Sequence, residues 1–339
     1  MPLVIPIFIP HEGCPHRCLF CDQHGISGQM ASPVSGVEVQ GMIREWLARV
    51  RPGKLPGAEV AFYGGSFTGL PASRQTELLA AVQPYREQGV VREIRLSTRP
   101  DYIDGGRLDL LARHGVMTIE LGAQSCDDRV LRLSGRGHTG ADIAAAAQLI
   151  KERGLRLGLQ LMLGLPGESF RSLRHTASEV IRLGPDFVRI YPALVLRGSG
   201  LERLYHQGGY RPLSLGRAVA AAAYLKKRFD DQGIGVVRMG LQPSDELERS
   251  LVAGPYHPAF GHLVKARLML RRTRQALMEV PGTAPVTLVI AERDQSVFRG
   301  LGSANLRRLR QLGLLDRFTL RTDPTQARQT VRVVEGERL

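Results

Sequence analysis

The strongest constraint on the fold is a repeated alternation of short apolar runs with longer segments of helical periodicity. This alternation is typical of βα units built around a parallel sheet. Six runs have the length of strands: 3–9, 59–63, 93–97, 117–121, 157–163 and 187–191. An Ala-rich helix after Ser214 and a short strand near Val236 are expected to close the open side. The sequence therefore predicts an α/β protein with a partial (β/α)6 TIM-type barrel.

Local signals predict where individual helices begin and end. Thr139 can cap a helix that buries Ile143 and Ile150 and stops at Gly154. A later helix is expected over about 168–183, with an end at Gly184.

The pattern changes after Asp245. The loop GPYHPAFG leads into a basic helix at about 262–278, and a strand, another helix and terminal strands follow. We predict a barrel over 1–245 and a separate small α/β extension over 246–339, with the extension as a candidate contact for RNA or substrate. Tyr256 and His257 are either substrate contacts over the barrel mouth or incidental linker residues.

Three of the four cysteines lie close together in the segment GCPHRCLFC, directly after the first predicted strand. In a parallel barrel this position belongs to the catalytic face. Three thiolates can hold three irons of a [4Fe-4S] cluster and leave the fourth iron open to a ligand. Cys14, Cys18 and Cys21 are therefore the candidate metal ligands.

Two other interpretations of the cysteine segment stay open. A Cys3His zinc site is chemically reasonable because His11, His16 and His24 lie nearby. Structural zinc loops more often use two short cysteine pairs, so a compact triad favours iron–sulfur ligation. Three buried free thiols are the plainest alternative.

The chain is basic, with 46 basic and 32 acidic side chains and a formal net charge of +14. Residues 246–339 hold 16 basic and 9 acidic side chains. A basic surface attracts polyanions such as nucleic acid, although a solvated basic face gives the same composition. The arginines concentrate in two predicted helices: Arg267, Arg271, Arg272, Arg274, and then Arg307, Arg308, Arg310.

The N-terminal segment MPLVIPIFIP lacks the basic residues of a signal peptide. No apolar run reaches the roughly 18 residues of a membrane-spanning helix. We therefore expect a cytoplasmic protein without a membrane partner. The sequence does not indicate an oligomeric state.

The CxxxCxΦC pattern, with Phe20 as the aromatic residue Φ, resembles the signature of radical S-adenosylmethionine (SAM) enzymes. The segments FYGGSFTGL, LSTRPDYI, ELGAQSCDDRVLRLSGRGHT and LMLGLPGES are similar to the branch containing the Elongator catalytic subunit and the oxygen-independent coproporphyrinogen oxidase. The resemblance covers about residues 3–200. It implies a [4Fe-4S] cluster on the three cysteines, SAM on the open iron, and an external one-electron donor of flavodoxin or ferredoxin type. Reductive cleavage of SAM would then give a 5′-deoxyadenosyl radical that abstracts hydrogen from a substrate.

The resemblance also implies a set of SAM-binding residues: Phe20, Gly64, Gly65, Ser66, Ser97, Arg99, Gln124, Arg136, Gln160, Gly164 and Tyr191. Within it, Gly64, Gly65 and Ser66 match the motif that meets the methionyl amino group, although such a turn can be only a turn. The family commonly has Glu where Ser97 stands. Arg99 can equally form a salt-bridged loop pair with Asp101.

Gln124 and Arg136 match family positions that face the cofactor carboxylate, which an arginine fork suits well. Gln160 matches a position that contacts the ribose, and a satisfied core amide is the alternative. Gly164 and Tyr191 match positions at the height of the adenine, where Tyr191 can instead pack in a lid.

Cys126 is a further thiol near these motifs. A thiol there can donate a hydrogen atom or simply be a small residue at a helix start, and no activating group is visible in the sequence.

Three hypotheses about function follow. The first is a radical SAM enzyme acting on transfer RNA or another nucleotide-like molecule. The second is a radical SAM enzyme with a small-molecule or peptide substrate, and the third is a non-catalytic, metal-bearing RNA-binding protein. About 94 residues follow the barrel, so we expect no acetyltransferase domain of the Elongator type. A strand, the turn 299–303 and a helix are similar to the KH module that clamps RNA backbone, with Ser303 in place of a second glycine.

Overall fold

The computed structural model describes residues 3–9, 13–14, 18–21, 33–49, 57–281 and 285–334. The chain forms two compact units. The barrel unit comprises Met1–Leu213 and Phe229–Pro255, and the C-terminal unit comprises Ser214–Arg228 and Tyr256–Leu339. The predicted boundary after residue 245 stays a prediction.

The described residues form the following strands: β1 (Val4–Ile9), β2 (Ala58–Gly64), β3 (Val91–Thr98), β4 (Val116–Gln124), β5 (Arg156–Leu163), β6 (Phe187–Pro192), β7 (Val195–Leu196), β8 (Gly235–Met239), β9 (Leu251–Ala253), β10 (Val286–Ala291), β11 (Phe318–Asp323) and β12 (Val331–Val334). They form the following α-helices: α1 (Gly36–Ala48), α2 (Ala72–Ala80), α3 (Gln83–Glu87), α4 (Gly105–Arg113), α5 (Asp128–Leu133), α6 (Gly140–Glu152), α7 (Phe170–Leu183), α8 (Gly200–His206), α9 (Leu215–Asp230), α10 (Asp245–Ser250), α11 (Phe260–Glu279), α12 (Gln295–Arg299) and α13 (Ala304–Gln311).

One seven-stranded sheet organises the barrel unit. Its order is β1-β2-β3-β4-β5-β6-β8, and all neighbouring strands are parallel. The sheet curls into a half-barrel, which confirms the predicted partial TIM-type barrel. The strand predicted near Val236 is β8, the seventh strand of this sheet.

The two faces of the sheet differ in polarity because successive side chains alternate across a strand. One set, such as Ile5 and Ile7 in β1 and Ile94 and Leu96 in β3, is completely buried and apolar. The other set belongs to the lumen of the half-barrel and includes charged side chains. In parallel barrels, functional sites lie at the carboxyl ends of the strands and in the loops after them, and the candidate site is described there.

The helix boundaries follow the local signals. Thr139 caps α6 in a capping box with Asp142, and Ile143 and Ile150 are buried as predicted. Helix α7 ends at Gly184, which adopts the left-handed conformation with φ 58°.

The C-terminal unit has its own sheet and core. β10 lies between β11, to which it is parallel, and β12, to which it is antiparallel. Its core residues are Met269, Ile290, Val297, Phe298 and Leu309. The turn Leu301–Ser303 connects α12 to α13.

Across the described ranges, none of the helices combines the length and the apolar character needed to span a membrane.

Candidate active site

The loop that carries the cysteines follows β1 and is anchored at Leu19. The Leu19 amide donates to the carbonyl oxygen of Ser134 at 3.0 Å, and its carbonyl oxygen accepts from the amide of Leu201 at 2.7 Å. Gly200 makes this approach possible, because a Cβ there would lie 2.6 Å from the Leu19 side chain. Leu19 is thus held by two other segments of the barrel unit.

A second contact joins the start of this loop to the turn after β2. Gly13 has φ +72°, and a Cβ at this position would lie 2.1 Å from the carbonyl oxygen of Ser66. A Cβ on Gly69 would in turn lie 2.1 Å from the carbonyl oxygen of Gly13. Glycine is therefore required on both sides of this contact.

The three cysteines lie on this loop with different exposure. Cys18 is buried, and Cys14 and Cys21 are half-buried. Within the part of the chain that the structure describes, no three His, Cys, Asp or Glu side chains are arranged to hold a metal ion. His11, His16 and His24 lie outside the described residues. The choice between iron–sulfur and zinc ligation therefore stays a prediction at this level.

Two buried arginines lie beside the thiols. Arg136 donates from Nη1 to the Sγ of Cys18 at 3.3 Å and from Nη2 to the carbonyl oxygen of Gly122 at 2.6 Å. Arg99 forms a bidentate ion pair with Asp101, with distances of 2.8 and 2.9 Å. The predicted loop pair between Arg99 and Asp101 is thus present, and it leaves the guanidinium almost fully buried.

These arginines fit an anionic group on the cysteine loop. Among the described residues, Arg136 Nε and Arg99 Nη1 are buried and have no hydrogen-bond partner. A buried unpaired donor is costly, so such atoms favour an anionic ligand. Burial raises the pKa of the Cys14 thiol, while the cations of Arg136 and Arg99 oppose that rise. A [4Fe-4S] cluster on thiolates, with the carboxylate of SAM beside it, matches this charge distribution.

The glycine turn after β2 places Gly64 and Gly65 against β1. Gly64 has φ +105°, and a Cβ there would lie 2.9 Å from the carbonyl oxygen of Ile9. Gly65 donates its amide to the same oxygen at 2.8 Å. The Ser66 hydroxyl is completely buried and bonds to the hydroxyl of Thr98 at 2.9 Å. The side chain of Ser66 therefore joins two strand ends, and its predicted contact with SAM stays a prediction.

The predicted glutamines meet each other. Gln160 Nε2 donates to Oε1 of Gln124 at 3.3 Å, and Gln124 has an unusual positive φ of 66° for a non-glycine residue. Gly122 lies close by, since a Cβ there would lie 2.7 Å from Arg136 Nη2 and 3.0 Å from Gln124 Nε2. Gly122 was not predicted as a site residue, although a glycine inside an apolar strand is a signal of close approach.

The remaining predicted residues have local contacts or partial burial of their own. Phe20 packs against an apolar cluster that includes Leu165. The carbonyl oxygen of Gly164 accepts from the hydroxyl of Tyr210 at 2.6 Å. Ser97 is half-buried in β3, and the hydroxyl of Tyr191 lies 3.5 Å from Arg189 Nη1.

Charged side chains inside the half-barrel form a lumen cluster that the sequence analysis missed. Arg95 forms a bidentate pair with Glu59 at 2.8 and 2.9 Å and contacts Glu120 at 3.0 Å. Arg189 pairs with Glu120 at 2.9 Å and donates to the hydroxyl of Tyr63 at 2.9 Å. Two carboxylates balance two guanidinium groups, so the cluster compensates its own charge.

Electrostatics within the lumen cluster are consistent with these pairs. Burial lowers the pKa of Arg95, but the carboxylates of Glu120 and Glu59 outweigh it and raise the pKa above its usual value. Burial, aided by Glu120, raises the pKa of Tyr63 to about 12, so its hydroxyl stays protonated at neutral pH. The available signal was a charged residue with an apolar neighbour on each side in each of the four strands: Glu59, Arg95, Glu120 and Arg189.

Two further groups near the site are uncharged at neutral pH. Burial and the cations of Arg136 and Arg99 lower the pKa of His138 to about 3. Burial, with a smaller contribution from Glu179, raises the pKa of Cys126 to about 12. Cys126 is therefore a neutral thiol, and its predicted alternatives as hydrogen donor or small packing residue both stay open.

Comparisons with known proteins match two parts of the chain to family models. The family model of the radical SAM superfamily matches residues 8–180, and that of the radical SAM C-terminal domain matches residues 185–270. An uncharacterized protein of Methanocaldococcus jannaschii is 31% identical over 209 residues, covering 59% of this chain and 64% of the relative. The tRNA uridine(34) acetyltransferase of the same archaeon is 26% identical over 260 residues, which cover 66% of this chain and 48% of the relative. The chain thus spans less than two thirds of the length of these relatives.

Solved structures show the same fold. Elp3 of Methanocaldococcus infernus, with an N-terminal deletion, has a TM-score of 0.64 at 23% identity and covers 79% of this chain and 63% of its own. Coproporphyrinogen III oxidase (HemN) from Escherichia coli has a TM-score of 0.51 at 21% identity. The match covers 68% of this chain and 53% of the HemN chain. Because the superfamily model also spans more than half of the sequence, the chain belongs to the radical SAM superfamily.

Proposed function

We propose that this protein reductively cleaves SAM at a [4Fe-4S] cluster held by Cys14, Cys18 and Cys21, and that its substrate is an RNA of the transfer RNA class. The observation that carries the proposal is the contact between Arg136 and the Sγ of Cys18, together with the buried guanidinium of Arg99. Both cations support an anionic centre on the cysteine loop. When bound and reduced by one electron, the cluster supplies that electron to split SAM into methionine and a 5′-deoxyadenosyl radical, which removes a hydrogen atom from the substrate.

The chain's own residues orient the reactants. Arg136 and Arg99 offer buried N–H donors to negative charge. Gln124 and Gln160 present amide groups that suit the carboxylate and hydroxyls of SAM, as their matching positions in the family imply. The hydrogen bonds of Leu19 to Ser134 and Leu201 hold the neighbouring Cys18 in place beside Arg136.

Two observations support RNA as the substrate class. Relatives of this chain are named tRNA uridine(34) acetyltransferases, in Methanocaldococcus jannaschii and in Dehalococcoides mccartyi. The chain has a net charge of +14, which favours association with a polyanion.

An external donor of flavodoxin or ferredoxin type would supply the electron to the cluster, as the family resemblance implies.

The test is a nucleoside analysis of RNA from cells that lack this protein. Transfer RNA is digested to nucleosides and compared by mass spectrometry among the wild-type strain, the deletion strain, and deletion strains that carry wild-type or Cys18→Ala protein. We expect a modified nucleoside to disappear in the deletion strain and to return with the wild-type protein but not with Cys18→Ala.

An unchanged nucleoside profile in the deletion strain would contradict the RNA substrate. If the metabolite profile changed instead, the hypothesis of a small-molecule or peptide substrate would replace it. Full rescue by Cys18→Ala would favour the non-catalytic, RNA-binding alternative.

A further inference from the structure

We propose that one surface of the C-terminal unit binds the sugar–phosphate backbone of the RNA. This inference rests on the proposed function, because RNA is the proposed substrate. The surface, termed the arginine face, consists of Arg267, Arg271 and Arg274 on α11, Arg299 at the end of α12, and Arg307 on α13. All five residues are exposed.

Three arginines of α11 form a stripe along one side of the helix. Arg267, Arg271 and Arg274 are spaced four and three residues apart, which places them on one side. The stripe spans about 10 Å along the helix axis at 1.5 Å per residue. Met269 and Thr273, on the opposite side, are buried. The core thus fixes the direction in which the stripe faces.

A buried amide joins this stripe to the other two helices. Asn305, which is 6% exposed, donates from Nδ2 to the carbonyl oxygen of Ala266 at 2.9 Å and to that of Phe298 at 3.1 Å. Ala266 precedes Arg267 in the chain, and Phe298 precedes Arg299. Hydrogen bonds from one side chain therefore hold the backbone of α11 next to that of α12, one residue before Arg267 and one residue before Arg299.

The arginine face forms no ion pair with the described part of the chain. None of its five side chains has a carboxylate partner among the described residues, and Arg307 donates to the carbonyl oxygen of Gly302. By contrast, three exposed arginines of the barrel unit each pair with a glutamate: Arg92 with Glu93, Arg182 with Glu179 and Arg249 with Glu246. Unpaired guanidinium forks suit the oxygen pairs of phosphate groups.

The composition of the unit favours RNA over a lipid surface. A helix that lies on a membrane presents a contiguous apolar face beside its basic residues. The exposed large apolar residues of the C-terminal unit, Met278, Leu301 and Leu320, lie on three different elements. A row of arginines without such a face matches a phosphate backbone in water.

The test measures binding of a fluorescent, unmodified transfer RNA transcript to the full-length protein across salt concentrations. The face variant is R267A/R271A/R274A, and the control R92A/R182A/R249A removes the same charge from paired arginines of the barrel unit. We expect the face variant to bind at least about tenfold more weakly at low salt, with a log K against log [salt] slope shallower by about 2 to 3. The control should stay within about twofold of wild type with an unchanged slope. The variant R267K/R271K/R274K should keep the wild-type slope.

Three results would overturn the inference. The face variant could bind as wild type does, the face variant and the control R92A/R182A/R249A could lose affinity equally, or the face variant could lose binding to phosphatidylserine vesicles but not to the transcript. A thermal unfolding midpoint equal to wild type establishes that the face variant is folded, and an unfolded variant is replaced by the single variant Arg271→Ala in the same assay. Binding needs no turnover, so the two proposals can fail separately. If the face variant lost transfer RNA binding while the deletion strain kept the wild-type nucleoside profile, the proposed function would be refuted and the inference about the arginine face would stand.

Discussion

The lumen cluster and the arginine face use the same side chain under opposite conditions. In the lumen, Arg95 and Arg189 are largely buried and share the carboxylate of Glu120. On the arginine face, Arg267 and Arg271 are exposed and have no carboxylate partner among the described residues. Burial requires pairing because an isolated ion is costly in a low dielectric, whereas water solvates an exposed guanidinium. The lumen arginines are therefore compensated by carboxylates, and those of the face are available to a ligand.

The largest effect is expected from Glu120→Gln in the lumen. The substitution keeps the side-chain shape but removes the carboxylate that Arg95 and Arg189 share. Breaking a buried ion pair lowers the free energy of unfolding by about 3–5 kcal/mol. Because these arginines are partly exposed, we expect a loss of about 3 kcal/mol. Urea unfolding, with the free energy of unfolding extrapolated to water, measures it.

The matched control is the double variant Glu120→Gln/Arg189→Met. It removes one charge of each sign and should recover about 1 kcal/mol or more of the loss. A single variant as stable as wild type would show that the lumen cluster does not depend on charge compensation.

The next test concerns Glu168, a carboxyl that forms no ion pair with a described arginine. Burial raises the pKa of Glu168 to about 7, although amides of Gly164 and Leu165 lower it in part. Because the folded pKa exceeds the unfolded value of 4.5, the folded state binds more protons between about pH 4.5 and 7, and stability falls as pH rises through that window. Glu168→Gln lacks this decline. Its free energy of unfolding, relative to that of wild type, should therefore increase from pH 5 to pH 8. Parallel pH profiles would contradict the raised pKa of Glu168.

The smallest effects are expected at the surface. Arg153→Ala removes an exposed pair with Asp109 at 3.1 Å, which should cost about 0.5 kcal/mol or less. Arg271→Ala removes no ion pair and should leave the unfolding midpoint unchanged while it weakens transfer RNA binding. A clear loss of stability in Arg271→Ala, measured in the same thermal scan, would indicate that the arginine face is structural.

Features set by local sequence were predictable from the chain alone. The period of apolar residues predicted each strand from β1 to β6, and Thr139 and Gly184 marked helix ends because capping depends on a few neighbouring residues. The spacing of the cysteines and the family resemblance together indicated Arg136 and Gln124, which the structure brings near the cysteine loop and Gln160.

Features set by packing across strands were not predictable. The lumen cluster joins residues of β2, β3, β4 and β6, and the partner of each charge depends on sheet register. The hydroxyl network of Ser66 and the close approach of Gly122 to Arg136 depend in the same way on contacts between distant segments. Likewise, the hydrogen bonds by which Asn305 joins α11 to α12 follow no local pattern.

The central claim, SAM cleavage at a cluster on the cysteine loop, is tested by 5′-deoxyadenosine formation. Wild-type and Cys18→Ala proteins are treated anaerobically with iron and sulfide, then given SAM and dithionite, and the product is quantified by chromatography and mass spectrometry. We expect the wild-type protein to form 5′-deoxyadenosine only with dithionite, and Cys18→Ala to form none above background. Equal formation by both proteins would contradict the account.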